Sequence, residues 1–236
     1  MPFLPALPRS SEPELLDAPA PDPAALDDNL RDLSAVDRWL GGSALTWRAL
    51  RPMLLGLPPA TPLTLLDVAA GGADGPRILA ARARRHGYTL RSLASDRLHE
   101  VLLWARAAGA RFPLIQHDAL AIPLADRAVD FVTCSLALHH FEPPAAAALL
   151  RELARVARHG VIVNDLRRGR LPYLGARALA LGPWHAMARH DGPLSVLRAY
   201  TLDEARALAD AARLPHAHVA ARPLFRLLIT VRVTDD

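Results

Sequence analysis

The chain has 236 residues, 51% of them hydrophobic and 22% charged, with a formal net charge of +4 at pH 7. That length supports one sizeable core and is short for two domains, and the composition excludes a long disordered tract. The 28 residues counted as lysine plus arginine are all arginine and lie scattered among carboxylates, so the high isoelectric point follows from arginine's pKa and does not imply a nucleic-acid partner.

No apolar run reaches the roughly 18 uncharged residues of a spanning helix, so no stable membrane insertion is expected. The proline-broken start lacks the basic-then-apolar order of a signal peptide, which places the protein in the cytoplasm as an expectation. The one cysteine, Cys134, excludes an internal disulfide framework and a cysteine-based zinc site, and no metal is expected.

The first 20 residues are rich in proline and are expected to be poorly ordered. Asp22-Pro23 has the form of an N-cap followed by proline at the first helical position, opening a helix to about Leu40 that stops at Gly41-Gly42. Ser43 is expected to cap a second helix carrying Ala44, Trp47, Leu50 and Leu54, with Trp39 and Trp47 in the core of the pair. Pro58, Pro59 and Pro62 make a linker. The expected organisation is a tail and helical cap over 1–57 and a ligand-binding domain over 58–236.

From Leu63 short apolar strands alternate with helices. Strands are predicted over 63–69, 89–95, 112–117, 129–135 and 160–165, and helices over 74–86, 97–108 and 144–158. This alternation implies parallel β-α-β units. Thr201-Leu-Asp-Glu204 is a capping box opening a helix to Arg213. The runs 216–221 and 225–233, with Pro223 between them, predict an antiparallel hairpin. The fold class is therefore α/β, a doubly wound, mostly parallel seven-stranded sheet.

The chemistry concentrates in Leu65-Leu-Asp67-Val-Ala69-Ala70-Gly71-Gly72-Ala-Asp74. An apolar strand ends in a carboxylate, followed by a turn of small residues and a helix, so a ligand can press against the backbone at the helix N-terminus. A dinucleotide fingerprint would need G-x-G-x-x-G, but its slots read Ala69, Gly71 and Asp74. Asp67 and Asp74 are unfavourable for a pyrophosphate and tolerable near a sulfonium and an ammonium group. The charge pattern thus favours S-adenosylmethionine over NAD.

This stretch resembles the first motif, D-x-[GA]-x-G-x-G-D, of the class I S-adenosylmethionine-dependent methyltransferases, specifically the ubiquinone/menaquinone-biosynthesis type, with Ala73 in place of the third glycine. Further matches follow in register. Asp96, before Arg97, ends the second strand. His117-Asp118-Ala119 with Ile122-Pro123 resembles G-D-A-x-x-L-P. Asp126 to Ser135 resembles D-x-x-F-D-x-V-x-x-x, and Leu138-His139-His140-Phe141 resembles the L-H-H that follows it. The resemblance covers about Leu30 to the C-terminus. It implies that Asp67, Ala69, Ala70, Gly71, Gly72, Asp96, Arg97, Asp118, Ala119 and Ser135 bind S-adenosylmethionine, with Asp96 on the ribose hydroxyls and Asp118 and the next backbone N–H on the adenine. Outside that context Asp96 reads as a helix N-cap and Asp118 as a turn cap.

Methyl transfer is an in-line displacement on an activated donor, and the enzyme mainly supplies alignment. A hydroxyl acceptor must also lose a proton, for which a histidine is a suitable base. His139 and His140 follow the fourth strand, and Asp165 ends the fifth on the same rim, where it can orient one of them. The alternative is that the pair only shapes the pocket or contacts the cofactor. The apolar segment 171–188 is expected either to cover an apolar acceptor or to be a surface helix, with His190 and Asp191 as secondary candidates. Arg167, Arg168 and Arg170 read as a solvated loop. The expected activity is methyl transfer to a phenolic, quinol or polyketide-like small molecule, mostly at oxygen. The alternatives are carbon methylation of a quinone precursor, RNA or protein methylation, and cofactor binding without catalysis.

Overall fold

The computed structural model describes residues 7–17, 22–58 and 61–233. Helices α1 (Pro23–Leu40) and α2 (Gly42–Leu54) meet at Gly41, whose φ of 66° closes the first helix and opens the second. Asp22 caps α1 through the Ala25 amide, as the Asp-Pro pair predicts. Ser43 does not cap α2. Its hydroxyl donates 2.6 Å to Asp37 because the left-handed Gly41 already makes the corner. Trp47 is buried in the core, whereas Trp39 is 76% exposed, which corrects the expectation that both are core residues.

The alternating pattern then produces β1 (Leu63–Val68), α3 (Asp74–Arg85), β2 (Leu90–Asp96), α4 (His99–Ala107), β3 (Leu114–Gln116), β4 (Val129–Ser135), α5 (Pro143–Val156) and β5 (Ala157–Leu166). After these come α6 (Arg170–Leu179), α7 (Ala186–Arg198), α8 (Leu202–Ala211), β6 (Ala217–Arg222) and β7 (Arg226–Arg232). The Thr201–Glu204 capping box opens α8.

The seven strands form one sheet in the order β3-β2-β1-β4-β5-β7-β6. β1 to β5 pair in parallel, and β7 runs antiparallel to both β5 and β6. Successive residues of a strand face opposite sides, so one strand feeds two cores. Leu66, Val132 and Val163 join the layer under α5 and α8, while Leu65, Phe131 and Ile162 join the layer under α2 and α3. Chain order reverses between β1 and β4, and that switch point opens a crevice at the carboxyl ends of the strands.

Residues 7–17 run as a strap along α7 and the carboxyl ends of β4 and β5. Ser10 N donates to Leu197 O, and Leu15 N and Leu16 N donate to the Asp191 carboxylate. The expected disorder of the first 20 residues is thus wrong for this stretch. Its backbone donors are taken up by buried partners far along the chain, which proline content cannot reveal. Among the described residues no helix is long and apolar enough to cross a membrane.

Candidate active site

A cavity of about 870 Å³ lies at the switch point. Its floor is the turn after β1, where Ala69, Gly71 and Ala73 take positive φ values of 53°, 52° and 55°. The left-handed region disfavours a Cβ, by roughly 1–2 kcal/mol per residue, so both alanines are strained. Gly72 is glycine for a spatial reason, since a Cβ there would lie 2.6 Å from the Trp104 ring. Asp67, Ala69, Ala70, Gly71, Gly72, Asp96, Arg97, Asp118, Ala119 and Ser135 all line this cavity, so the structure brings together every residue singled out for the cofactor.

Asp67 is 5% exposed and accepts 2.5 Å from Thr133 Oγ1. Burial, reinforced by Asp37 and Asp96, raises its pKa to about 7 against the pull of the Thr133 hydrogen bond. Asp96 holds the turn, with Oδ2 accepting from Gly71 N at 3.0 Å and Oδ1 from Leu98 N at 3.1 Å. A carboxylate has about four acceptor sites, so lone pairs remain for a ligand. Asp118 accepts from Leu120 N at 2.9 Å and so does cap a turn.

On the other side of the crevice a 3₁₀ turn, Leu138–His140, presents both histidines. Asp165 lies against His139, with 2.7 Å from Oδ1 to Nδ1, and its other oxygen accepts from His139 N at 2.9 Å. The opposite ring nitrogen, Nε2, is 3.4 Å from Glu14 Oε1. His139 is 3% exposed, and although burial lowers its pKa, Asp165 and Glu14 together lift it to about 10. His139 is therefore an imidazolium clasped between two carboxylates at neutral pH. Burial raises the carboxyl pKa of both Asp165 and Glu14, but the histidine charges and hydrogen bonds outweigh it and leave both low.

His140 differs. Its Nδ1 is held 2.9 Å from Asp17 Oδ1, its Nε2 is 3.8 Å from Glu14, and its side chain is 21% exposed to the cavity. Ligand atoms of Glu14, His139 and His140 converge within 4.8 Å, a spacing at which a cation can also be held. Arg198 completes the cluster, donating 2.7 Å to Glu12 O and 3.0 Å to His140 O.

Glu14, Asp17 and Arg198 are absent from the sequence-based set. Glu14 and Asp17 sit in a tract whose composition reads as tail, and Arg198 lies inside an otherwise unremarkable helix. Two other expectations change. Arg168 is 6% exposed, not a solvated loop residue, and binds Leu7 O, Ala199 O and Glu204. Asp191 reaches the cavity chiefly as the anchor of the strap, with His190 Nδ1 2.8 Å from its carboxylate.

The roof is apolar. One side of α6 and the turn after it, including Pro172, Leu179 and Trp184, lines the cavity, and Leu171 and Leu174 face outward, 70% and 61% exposed. α1 is tied across the opening by Trp104 Nε1 donating 2.6 Å to Asp27 and His185 N donating 2.7 Å to Asp32.

Residues 66–163 match the family model for a methyltransferase domain. No curated protein matches. Among solved structures, a magnesium protoporphyrin IX methyltransferase from Synechocystis with bound SAH superposes with a TM-score of 0.55 at 15% identity, covering 82% of this chain and 84% of that one. A plantazolicin methyltransferase complexed with a triazolic analogue and SAH gives 0.65 at 13%, covering 90% and 96%. An O-methyltransferase family 2 protein from Planctomyces limnophilus in complex with apigenin gives 0.60 at 22%, covering 88% of this chain, which spans 62% of that protein. At these identities the likeness is one of fold. The chain thus carries a match to a methyltransferase domain over residues 66–163, on the fold that S-adenosylmethionine-dependent methyltransferases share.

Proposed function

We propose that the protein transfers a methyl group to the oxygen of a small, mostly apolar, hydroxylated acceptor of phenol, quinol or polyketide-like type, with His140 as general base. The observation that carries this reading is the asymmetry of the histidine pair. His139 is charged and bracketed on both ring nitrogens, so it has no site for an incoming proton. His140 has Nδ1 fixed by Asp17 at 2.9 Å, while its Nε2 stands farther from a carboxylate, 3.8 Å from Glu14, and its ring lines the cavity. In this reading Asp165 positions His139, and Asp17 takes the orienting role for the base.

On the cofactor side, Asp67 receives the amino group, Asp96 the ribose hydroxyls, and Asp118 with Ala119 N the adenine, while Arg97 and Ser135 flank the adenosyl path. S-adenosylmethionine, when bound, would supply the activated methyl group, and His140 Nε2 would accept the proton that the acceptor hydroxyl loses. The apolar roof supports an apolar acceptor, and the apigenin complex of the Planctomyces limnophilus protein accords with a hydroxylated aromatic one. The scattered arginines and the apolar lining of the cavity favour a small molecule over RNA.

A screen with methyl-labelled S-adenosylmethionine over alkylphenols, quinols and structured RNA tests the reading. Label is expected in an alkyl-substituted phenol or quinol and released as a methyl ether. Label only in RNA, or at ring carbon, contradicts it. The same screen with a chelator is expected to run undiminished. Loss of activity there, restored by one divalent ion, means that a cation at Glu14, His139 and His140 replaces the base.

A further inference from the structure

Arg226 opens β7, at the carboxyl end of its partner β5, and is 2% exposed. Among the described residues it forms no ion pair, and its Nε and Nη1 have no hydrogen-bond partner. Two other side chains, His117 and Asn164, each leave one buried atom unpartnered, whereas Arg226 leaves two. Burying a guanidinium without a partner is strongly unfavourable, and such groups are nearly always paired or serve a ligand. Burial pulls the pKa of Arg226 down, while the charges of Asp37 and Asp165 oppose this from beyond ion-pair distance.

The guanidinium points at the corner between α1 and α2. A Cβ on Gly42 would lie against Asp37 and 3.2 Å from Arg226 Nη2. Asp37 is engaged with Ser43, whose hydroxyl donates 2.6 Å to it. Arg226, Asp37, Ser43 and Thr46 all line the cavity. Leu224 and Phe225, both at φ of 58°, form the turn that delivers Arg226 and face the same cavity as apolar groups. One fixed, unpaired cation thus stands at the end of a mostly apolar chamber.

We propose that Arg226 is the receptor for a carboxylate carried by a ligand of this cavity, met by the planar guanidinium at the α1–α2 corner. A carboxylate suits that fork because two parallel N–H···O bonds can form. Two carboxylates are candidates, and the proposal rests on the cavity's assignment to cofactor and acceptor. One is the amino-acid carboxylate of the cofactor, a single carbon from the amino group assigned to Asp67. The other is a carboxylate on the acceptor, which makes that acceptor an amphipathic acid.

The test uses the full chain and Arg226→Met, which removes the charge while keeping most of the volume. Affinities are measured by calorimetry for two matched pairs. One pair is S-adenosylhomocysteine and 5′-methylthioadenosine, which lacks the amino-acid part. The other is 4-octylbenzoate and 4-octylphenol, with the cofactor product present. The expected result is a loss of at least tenfold for one carboxylate ligand and less than threefold for its carboxylate-free counterpart. Loss confined to S-adenosylhomocysteine assigns the cofactor's carboxylate, and loss confined to 4-octylbenzoate assigns the acceptor's. The melting temperature is expected to stay level or rise, because an unpaired buried cation is removed. Equal affinities in both pairs, or a lowered melting temperature with all four ligands weakened alike, overturn the proposal. Should the variant not fold, the wild type decides. There 4-octylbenzoate binding no tighter than 4-octylphenol, together with the methyl ester of S-adenosylhomocysteine binding as well as the acid, overturns it. Failure of S-adenosylhomocysteine to bind the wild type at all would instead contradict the cofactor assignment.

Discussion

Asp67 is enclosed, and its pKa near 7 makes cofactor binding depend on pH in a fixed direction. The ammonium group of the cofactor favours the ionised carboxylate, so affinity should rise as pH climbs through 7. Between pH 6 and 8 the ionised fraction changes by up to about tenfold, and calorimetric affinity for S-adenosylhomocysteine is expected to follow. Asp67→Asn should bind weakly and lose this dependence. A flat profile in the wild type would mean that Asp67 does not face the amino group. Asp96 carries a complementary prediction. Its charge-assisted bonds are worth about 1.5–3 kcal/mol, so Asp96→Ala should lower affinity roughly tenfold or more in the same calorimetric titration. At Ala73, glycine would relieve a left-handed alanine but raise the entropy of the unfolded chain by about 0.4–1 kcal/mol. Ala73→Gly is therefore expected to leave stability level or raise it by up to about 1.6 kcal/mol, read from denaturant midpoints.

The strap is the element whose role is least evident from composition. Glu14, 6% exposed, joins His139 and Ser195 at the centre of the site. Removing one partner of such a buried pair typically costs about 3–5 kcal/mol, so Glu14→Ala should be markedly destabilised. The His139 pKa is raised from 6.5 to about 10, so its contribution is full below about pH 6.5 and disappears as pH rises through 10. The depressed Glu14 and Asp165 carboxyls act oppositely, contributing above their unfolded pKa values and failing as pH falls through the folded ones. The stability gap between wild type and Glu14→Ala should therefore be widest at mildly acidic pH and narrow toward pH 10, as melting temperatures across that range would show. A constant gap would mean that Glu14 contributes by packing alone.

Strands and helices of the sheet were legible because burial imposes a period. Leu63 to Val68, Val129 to Ser135 and the Thr201 capping box fall where the sequence puts them, within a residue or two. That the residues proposed for the cofactor line one cavity was legible for a related reason: they lie at strand ends, where loop chemistry is concentrated. Glu14, Asp17, Arg168, Arg198 and Arg226 were not, because their meaning depends on partners more than a hundred residues away or on burial that no local pattern encodes. The position of Trp39 failed similarly, since a lone aromatic on a helix says nothing about which face is covered.

At the scale of the molecule, the reversal of strand order between β1 and β4 creates one crevice. The strap, α1 and α6 border it with apolar surface and a polar rim at residues 138–140. The central claim is that this rim removes a proton from an acceptor oxygen through His140. Its most direct test is the pH–rate profile of labelled methyl transfer to an alkylphenol by wild type, His140→Ala and His139→Ala. A general base contributes typically 10²–10⁴-fold. His140→Ala is expected to lose about that factor in kcat at neutral pH, with cofactor affinity nearly unchanged. The loss should shrink as pH approaches the phenol's own pKa of about 10, where the phenolate forms unaided. Near-normal turnover by His140→Ala at pH 7, or an undiminished defect at pH 10, would contradict the account.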